Sequence, residues 1–128
     1  MSDQDDPAPG TRVLIVDDNV DTVRMMKILL KRKGFQVQTA NDGAEALNAA
    51  ATFRPEVVLL DLTMPGMSGQ AVASALREGA TTADALIVAV SGYGDQGVPE
   101  AFDHLLVKPV DHEALMTLLE RADRGPGA

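Results

Sequence analysis

The sequence contains no cysteine. That absence excludes disulfide frameworks, thiol nucleophiles and cysteine-ligated zinc, and it is compatible with a reducing compartment. Positive charge is also scarce: 11 lysines and arginines stand against 19 aspartates and glutamates, for a formal net charge of −8. Binding to phosphate backbones or anionic membranes draws on an excess of the opposite sign, so direct nucleic-acid and membrane partners are not expected. No apolar run approaches the roughly 20 residues that span a bilayer, and the first ten residues lack the basic-then-apolar layout of a signal peptide. A soluble, cytoplasmic protein is the expectation. At 128 residues the chain makes one domain, long enough to bury a real core.

Short apolar runs alternate with stretches at helical spacing. RVLIV (12–16), FQVQT (35–39), VVLL (57–60), LIVAV (86–90) and LLV (105–107) read as strands by length, β-branching and flanking turn residues. Val23, Met26 and Leu30 mark one amphipathic helix. Leu47 with Ala50, Val72 with Ala75 and Leu76, and Leu115 with Leu118 and Leu119 mark three more. Apolar strands in a βαβα rhythm mean a parallel sheet covered on both faces. The expected fold class is therefore α/β, a flavodoxin-like doubly wound five-stranded parallel sheet in the order 2-1-3-4-5. The folded body is placed at residues 11–123. Residues 1–10 and 124–128 are expected to be disordered, since their Pro, Gly and acidic composition offers little to bury.

In such a sheet ligands bind beyond the carboxyl ends of the strands. There the chain carries Asp17-Asp18-Asn19, Asp61-Leu62-Thr63, Ser91-Gly92 and Lys108-Pro109, one group after each of strands one, three, four and five. Three carboxylates, a hydroxyl and an ammonium suit a hard, oxygen-liganded cation together with a phosphoryl group. Two carboxylates about 5 Å apart repel by roughly 3 kcal/mol at an effective dielectric near 20, so the cluster needs Lys108, a divalent cation or both. Each piece alone has a plainer reading. Asp17, Asp18 or Asn19 could cap the helix beginning near Val20, and Asp61 could serve the turn containing Pro65 and Gly66. Their occurrence in order at successive strand ends favours a site.

VLIVDDN, VVLLDLTMPGMSG, VAVSG and LLVKP together resemble the receiver domain of a two-component response regulator, over roughly residues 11–123. Asp61 lies 43 residues beyond Asp18, and Ser91 lies 30 beyond Asp61, which agrees with the family. The resemblance implies that Asp61 is the phosphoacceptor, promoting its own phosphorylation and dephosphorylation without being a separate enzyme. It implies that Asp17, Asp18, Asp61 and the Thr63 carbonyl hold Mg2+, and that Ser91 and Lys108 contact the phosphoryl group. It also implies a cis bond at Pro109. The partners it implies are a histidine kinase or phosphotransfer protein and a downstream protein reached by contact. No effector region follows within these 128 residues. A stand-alone regulator, a phosphate relay and the receiver piece of a larger protein all fit.

Two departures stand out. The family's switch aromatic is Leu105 here, and Tyr93, the single tyrosine, is either its substitute or an ordinary packed aromatic. The crossover before LLVKP has only twelve residues, 93–104, with Gly94, Gly97 and Pro99 among them, so its helix should be rudimentary or replaced by a loop. Other classes fit less well. A phosphatase of the haloacid dehalogenase type needs an Asp two residues after its nucleophile, where this chain has Thr63. A non-phosphorylated pseudo-receiver would not need every charged site residue, and a dinucleotide site would need a glycine-rich first turn. His104 and His112 flank the last strand as surface residues.

Overall fold

The apolar runs form one sheet. In the computed structural model, which describes residues 10–64, 66, 68–92 and 98–124, β1 (Arg12–Val16), β2 (Gln36–Ala40), β3 (Val57–Asp61), β4 (Leu86–Ser91) and β5 (His104–Val107) are arranged β2-β1-β3-β4-β5. Every pairing is parallel. The interior strands are apolar at nearly every position because both faces are covered, and β3 is buried along its whole length. At the β2 edge only Val37 and Ala40 are buried.

Four helices connect and follow the strands: α1 (Val20–Arg32), α2 (Gly43–Phe53), α3 (Gly69–Glu78) and α4 (His112–Arg124). The first three begin at side-chain caps. Asn19, Asp42 and Ser68 accept from the amides of Thr22, Glu45 and Ala71, each satisfying a donor the helix cannot. Successive strand residues point to opposite faces, which divides the core in two. Leu14, Val16, Val58, Leu60, Ile87 and Ala89 meet α2 and α3 through Ala46, Ala50, Val72, Ala73 and Leu76. Val13, Ile15, Val57, Leu59, Val88 and Val90 meet α1 and α4 through Val23, Met26, Leu30, Leu115 and Leu119.

The short crossover behaves as its length requires. Residues 98–103 form a turn in which the Phe102 amide donates to the Pro99 carbonyl at 3.2 Å, and Phe102 is buried against the α2 and α3 side. Residues 93–97, with Tyr93, lie outside the described residues. Among the described residues no helix separates β4 from β5, and the turn leaves no room for three helical turns there. Arg77, in the last turn of α3, ties this segment down. Its guanidinium donates to the carbonyls of Ala83 (2.8 Å), Ala85 (2.7 Å) and Ala101 (3.1 Å) and pairs with Asp103 at 2.7 Å. The Asp103 carboxylate in turn accepts from the Ile87 amide at the start of β4.

At the two ends, Gly10 accepts a hydrogen bond from Gln36 and α4 runs through Arg124. Residues 1–9 and 125–128 lie outside the described residues. No helix among the described residues is long and apolar enough to cross a membrane.

Candidate functional site

β1 and β3 are neighbours, and each ends in an acid. The chain leaves β1 at Asp17, whose amide donates to Ala40 at 3.1 Å and whose Oδ1 accepts from the Asn19 amide at 2.9 Å. Asn19 caps α1, so neither Asp17 nor Asp18 does. Asp61 closes β3, with its Oδ1 accepting from both the amide and the hydroxyl of Thr63, at 2.9 and 2.8 Å. The amide bond closes the turn after the strand, as Asp side chains commonly do two residues on. The hydroxyl is a contact that the sequence reading, which gave Thr63 a role only through its carbonyl, did not include. A Thr two residues after an Asp is the signal that could have shown it.

Lys108, at the end of β5, reaches back across the sheet edge. Its Nζ lies 3.2 Å from Asp61 Oδ2 and 3.7 Å from Asp17 Oδ2. Its amide donates to the Ser91 carbonyl at 2.7 Å, which places β5 beside the end of β4. Ser91 is buried there, one residue past Val90, the register partner of Asp61. Asp17, Asp18, Asp61, Thr63, Ser91 and Lys108 therefore share one edge. The Lys108–Pro109 peptide bond is cis. Leu105, the register partner of Ala89, is half-buried against the α2 and α3 core. His104 is half-buried at the start of β5 and His112 is exposed at the start of α4.

The electrostatics differ between the two buried acids. Burial pushes Asp17 up from the usual 3.8, against the pull of the Asn19 amide, and the nearby Asp61 charge pushes it further. Burial also acts on Asp61, which is only 2 % exposed, but the Thr63 amide, the Thr63 hydroxyl and Lys108 together outweigh it and hold this carboxyl below 3.8. At neutral pH Asp61 is an ionised, oriented carboxylate. Asp18 is exposed beside them, and the three acids bring carboxylate oxygens within 4.8 Å of one another. This acceptor-only, all-oxygen set fits a hard divalent cation such as Mg2+.

An apolar groove of about 770 Å3 opens onto Asp17, Asp61 and Lys108 between α1 and the start of α4, with Met25, Leu29 and Val110 among its walls. A second depression of about 780 Å3, at the opposite edge of the sheet around Arg12, Arg77 and Asp103, contains none of the three acids.

Comparison with known proteins gives a consistent result. The family described as the response regulator receiver domain matches residues 13–120. Response regulator PleD of Caulobacter vibrioides is 37 % identical over 120 residues, covering 90 % of this chain and 26 % of PleD, so the chain spans about a quarter of that relative. The crystal structure of response regulator TrrA from Thermotoga maritima in complex with Mg2+-BeF superposes with a TM-score of 0.78 at 30 % identity, over 88 % of this chain and 98 % of TrrA. TrrA in complex with the histidine kinase ThkA matches with a TM-score of 0.77 at 30 % identity, over 88 % of this chain and 97 % of TrrA.

Proposed function

We propose that this chain, which belongs to the response regulator receiver domain family, accepts a phosphoryl group on Asp61 from a phosphohistidine of a histidine kinase or phosphotransfer protein. The observation that carries the reading is the state of Asp61: buried, yet held ionised by Thr63 and Lys108 with two further acids beside it. A carboxylate must be charged and aimed to act as a nucleophile. In the transfer, one Asp61 oxygen bonds to phosphorus as the P–N bond of the donor breaks. The electron pair leaves with an imidazole nitrogen whose ring partner carries a proton, so the histidine departs neutral.

The surrounding residues divide the remaining work. The Lys108 ammonium, already 3.2 Å from Asp61, pairs with the phosphoryl oxygens, and the Ser91 hydroxyl donates to them. Asp17, Asp18, Asp61 and the Thr63 carbonyl are the residues that would hold Mg2+. When bound, the cation neutralises charge on the group in transfer. The Mg2+-BeF complex of TrrA supports that assignment. The same constellation promotes loss of the phosphoryl group to water, so the chain is a self-resetting signalling domain rather than an enzyme acting on a separate substrate. A dehalogenase-type phosphatase is disfavoured because the position two after Asp61 is Thr63, whose hydroxyl already donates to the nucleophile.

The apolar groove beside Asp61 is the approach for the donor protein, and a histidine kinase as that donor is supported by the complex of ThkA with TrrA. Met25, 65 % exposed, and the exposed Ile28 border it. Output is by protein contact in the cytoplasm, without direct contact to nucleic acid or membrane. The test is incubation with Mg2+ and acetyl phosphate followed by intact-mass measurement. One added phosphoryl group that requires Mg2+ is expected, and no addition under any donor concentration would refute the reading.

A further inference from the structure

The two oxygens of Asp61 are used differently. Oδ2 faces the Lys108 ammonium at 3.2 Å, so a divalent cation approaching on that side meets a like charge. Oδ1 faces no cation and is the oxygen open to a metal by charge. It is, however, already occupied, accepting from the Thr63 amide at 2.9 Å and from the Thr63 hydroxyl at 2.8 Å. An ionised carboxylate offers about four lone-pair sites over its two oxygens, so two donors fill one oxygen. Magnesium needs a lone pair aimed at it from about 2.0–2.1 Å. One of the two Thr63 donors must leave Oδ1 before that oxygen can bind the metal.

The two donors are not equally free to leave. The amide belongs to the turn that carries the chain out of β3, and moving it means moving backbone between the buried residues Asp61 and Met64. The hydroxyl needs only a rotation about one side-chain bond to another staggered position. Thr63 is exposed, so a hydroxyl turned off Asp61 is met by water and leaves no buried donor unpaired. Asp17 supplies the contrast. Its Oδ1 accepts the Asn19 amide in the same way, but the side chain two residues on is that of Asn19, which accepts from the Thr22 amide as the cap of α1. The turn alone therefore does not call for a second donor on Oδ1.

We propose that the Thr63 hydroxyl is a latch on Asp61 Oδ1 that competes with the divalent cation and swings off as the metal binds, so that this side chain sets the metal affinity of the site. The inference rests on the assignment of Mg2+ to Asp17, Asp18, Asp61 and the Thr63 carbonyl. In the metal-free protein the hydroxyl holds the carboxylate in place, and the worth of that bond is subtracted from the affinity when the metal displaces it. Thr63 is thus a positioning residue that acts through Asp61. Taking the hydroxyl away while keeping the shape of the side chain removes the competitor, and the metal should bind about five-fold more tightly. Because phosphoryl acceptance also passes through Asp61, residue 63 tunes the Mg2+ concentration at which the domain becomes competent.

Calorimetric titration of the full chain with Mg2+, in the absence of any phosphodonor, tests this. Thr63→Val should bind about five-fold more tightly than the wild type, and Thr63→Ser, which restores the hydroxyl, should return to within about two-fold of it. In the wild type itself the Thr63 Hα–Hβ NMR coupling should change between the metal-free and the Mg2+-saturated protein, as the side chain leaves its rotamer. Equal or weaker binding by Thr63→Val, equal tightening by Thr63→Ser, or a Thr63 coupling that stays the same at saturation would overturn the latch. Should Thr63→Val not fold, the coupling in the wild type decides alone. A wild type that binds no Mg2+ would overturn the latch and the metal assignment together, whereas Mg2+ binding with no gain in Thr63→Val overturns the latch alone and leaves the phosphoacceptor reading standing.

Discussion

Asp17 and Asp61, at the ends of adjacent strands, make the same turn. Each accepts the amide two residues ahead on Oδ1, and each directs Oδ2 at Lys108, at 3.7 and 3.2 Å. The difference between them is the Thr63 hydroxyl, which donates to Asp61 alone. That one extra donor, with the closer lysine, separates two acids of equal type into one whose carboxyl is held down and one whose carboxyl is pushed up.

Thr63→Val removes the hydroxyl and keeps the amide. Stability at neutral pH should fall by about 1 kcal/mol, the usual net worth of one hydrogen bond to a partly screened charge. Thr63→Ser should restore most of it. Urea unfolding of the three proteins checks this, and equal midpoints for Thr, Val and Ser would show that the bond contributes nothing.

Asp17→Asn should stabilise the protein at pH 7 in the absence of divalent cations. The raised carboxyl of Asp17 holds its proton more tightly in the folded state. Its contribution is therefore favourable below the usual 3.8 and is lost as the pH rises through the folded value. Removing it should add about 1–2 kcal/mol at pH 7, a repulsion of roughly 3 kcal/mol offset in part by Lys108, and nothing below about pH 3.8. Asp61 has the opposite sign: its contribution is present above 3.8 and lost as the pH falls through its lowered value. Thermal unfolding across pH 3 to 8 should show Asp17→Asn gaining on the wild type only on the neutral side. A constant difference across that range would contradict the assignment.

Much of this arrangement is legible in the sequence because strands and their exits are local. All five strands fall within a residue of their apolar runs, and the extension of β3 to Asp61 puts the acid at the strand end itself. The α2 face is less legible. Leu47 with Ala50 marks it by spacing, yet Gly43, Ala46 and Ala50 are the buried residues and Leu47 only packs at the margin. A helix this rich in alanine offers little contrast between its faces. Which residue caps α1 is a matter of geometry among three adjacent candidates, and the structure selects Asn19. The hold of Arg77 on Ala101 spans 24 residues, and no local pattern announces it.

Lys108→Met should destabilise by roughly 1–2 kcal/mol. This is less than the 3–5 of a fully buried pair, because the lysine side chain is 34 % exposed. Asp17→Asn combined with Lys108→Met should recover part of the loss, since only one of the two carboxylates that Lys108 faced is then left without it. A double-mutant cycle by denaturant unfolding measures the coupling. Strict additivity would mean that the 3.7 Å approach of Lys108 to Asp17 has no energetic content.

Arg77→Lys should loosen the crossover despite keeping the charge. A lysine cannot serve three carbonyls and a carboxylate from one planar fork. A loss of about 2–3 kcal/mol is expected, with faster amide exchange at Phe102 and Asp103. Unchanged exchange at those two amides would show that the segment is held by the burial of Phe102 alone.

The central claim is that Asp61 is the phosphoacceptor. The direct measurement is peptide-level mass spectrometry of the acetyl phosphate-treated protein with Mg2+, alongside Asp61→Asn, which keeps the shape and removes the nucleophile. The account predicts one phosphoryl group, on the peptide carrying Asp61, and none on the folded Asn variant. A phosphoryl group on Asp17 or Asp18 of the wild type, or labelling of Asp61→Asn at the wild-type level, would contradict it.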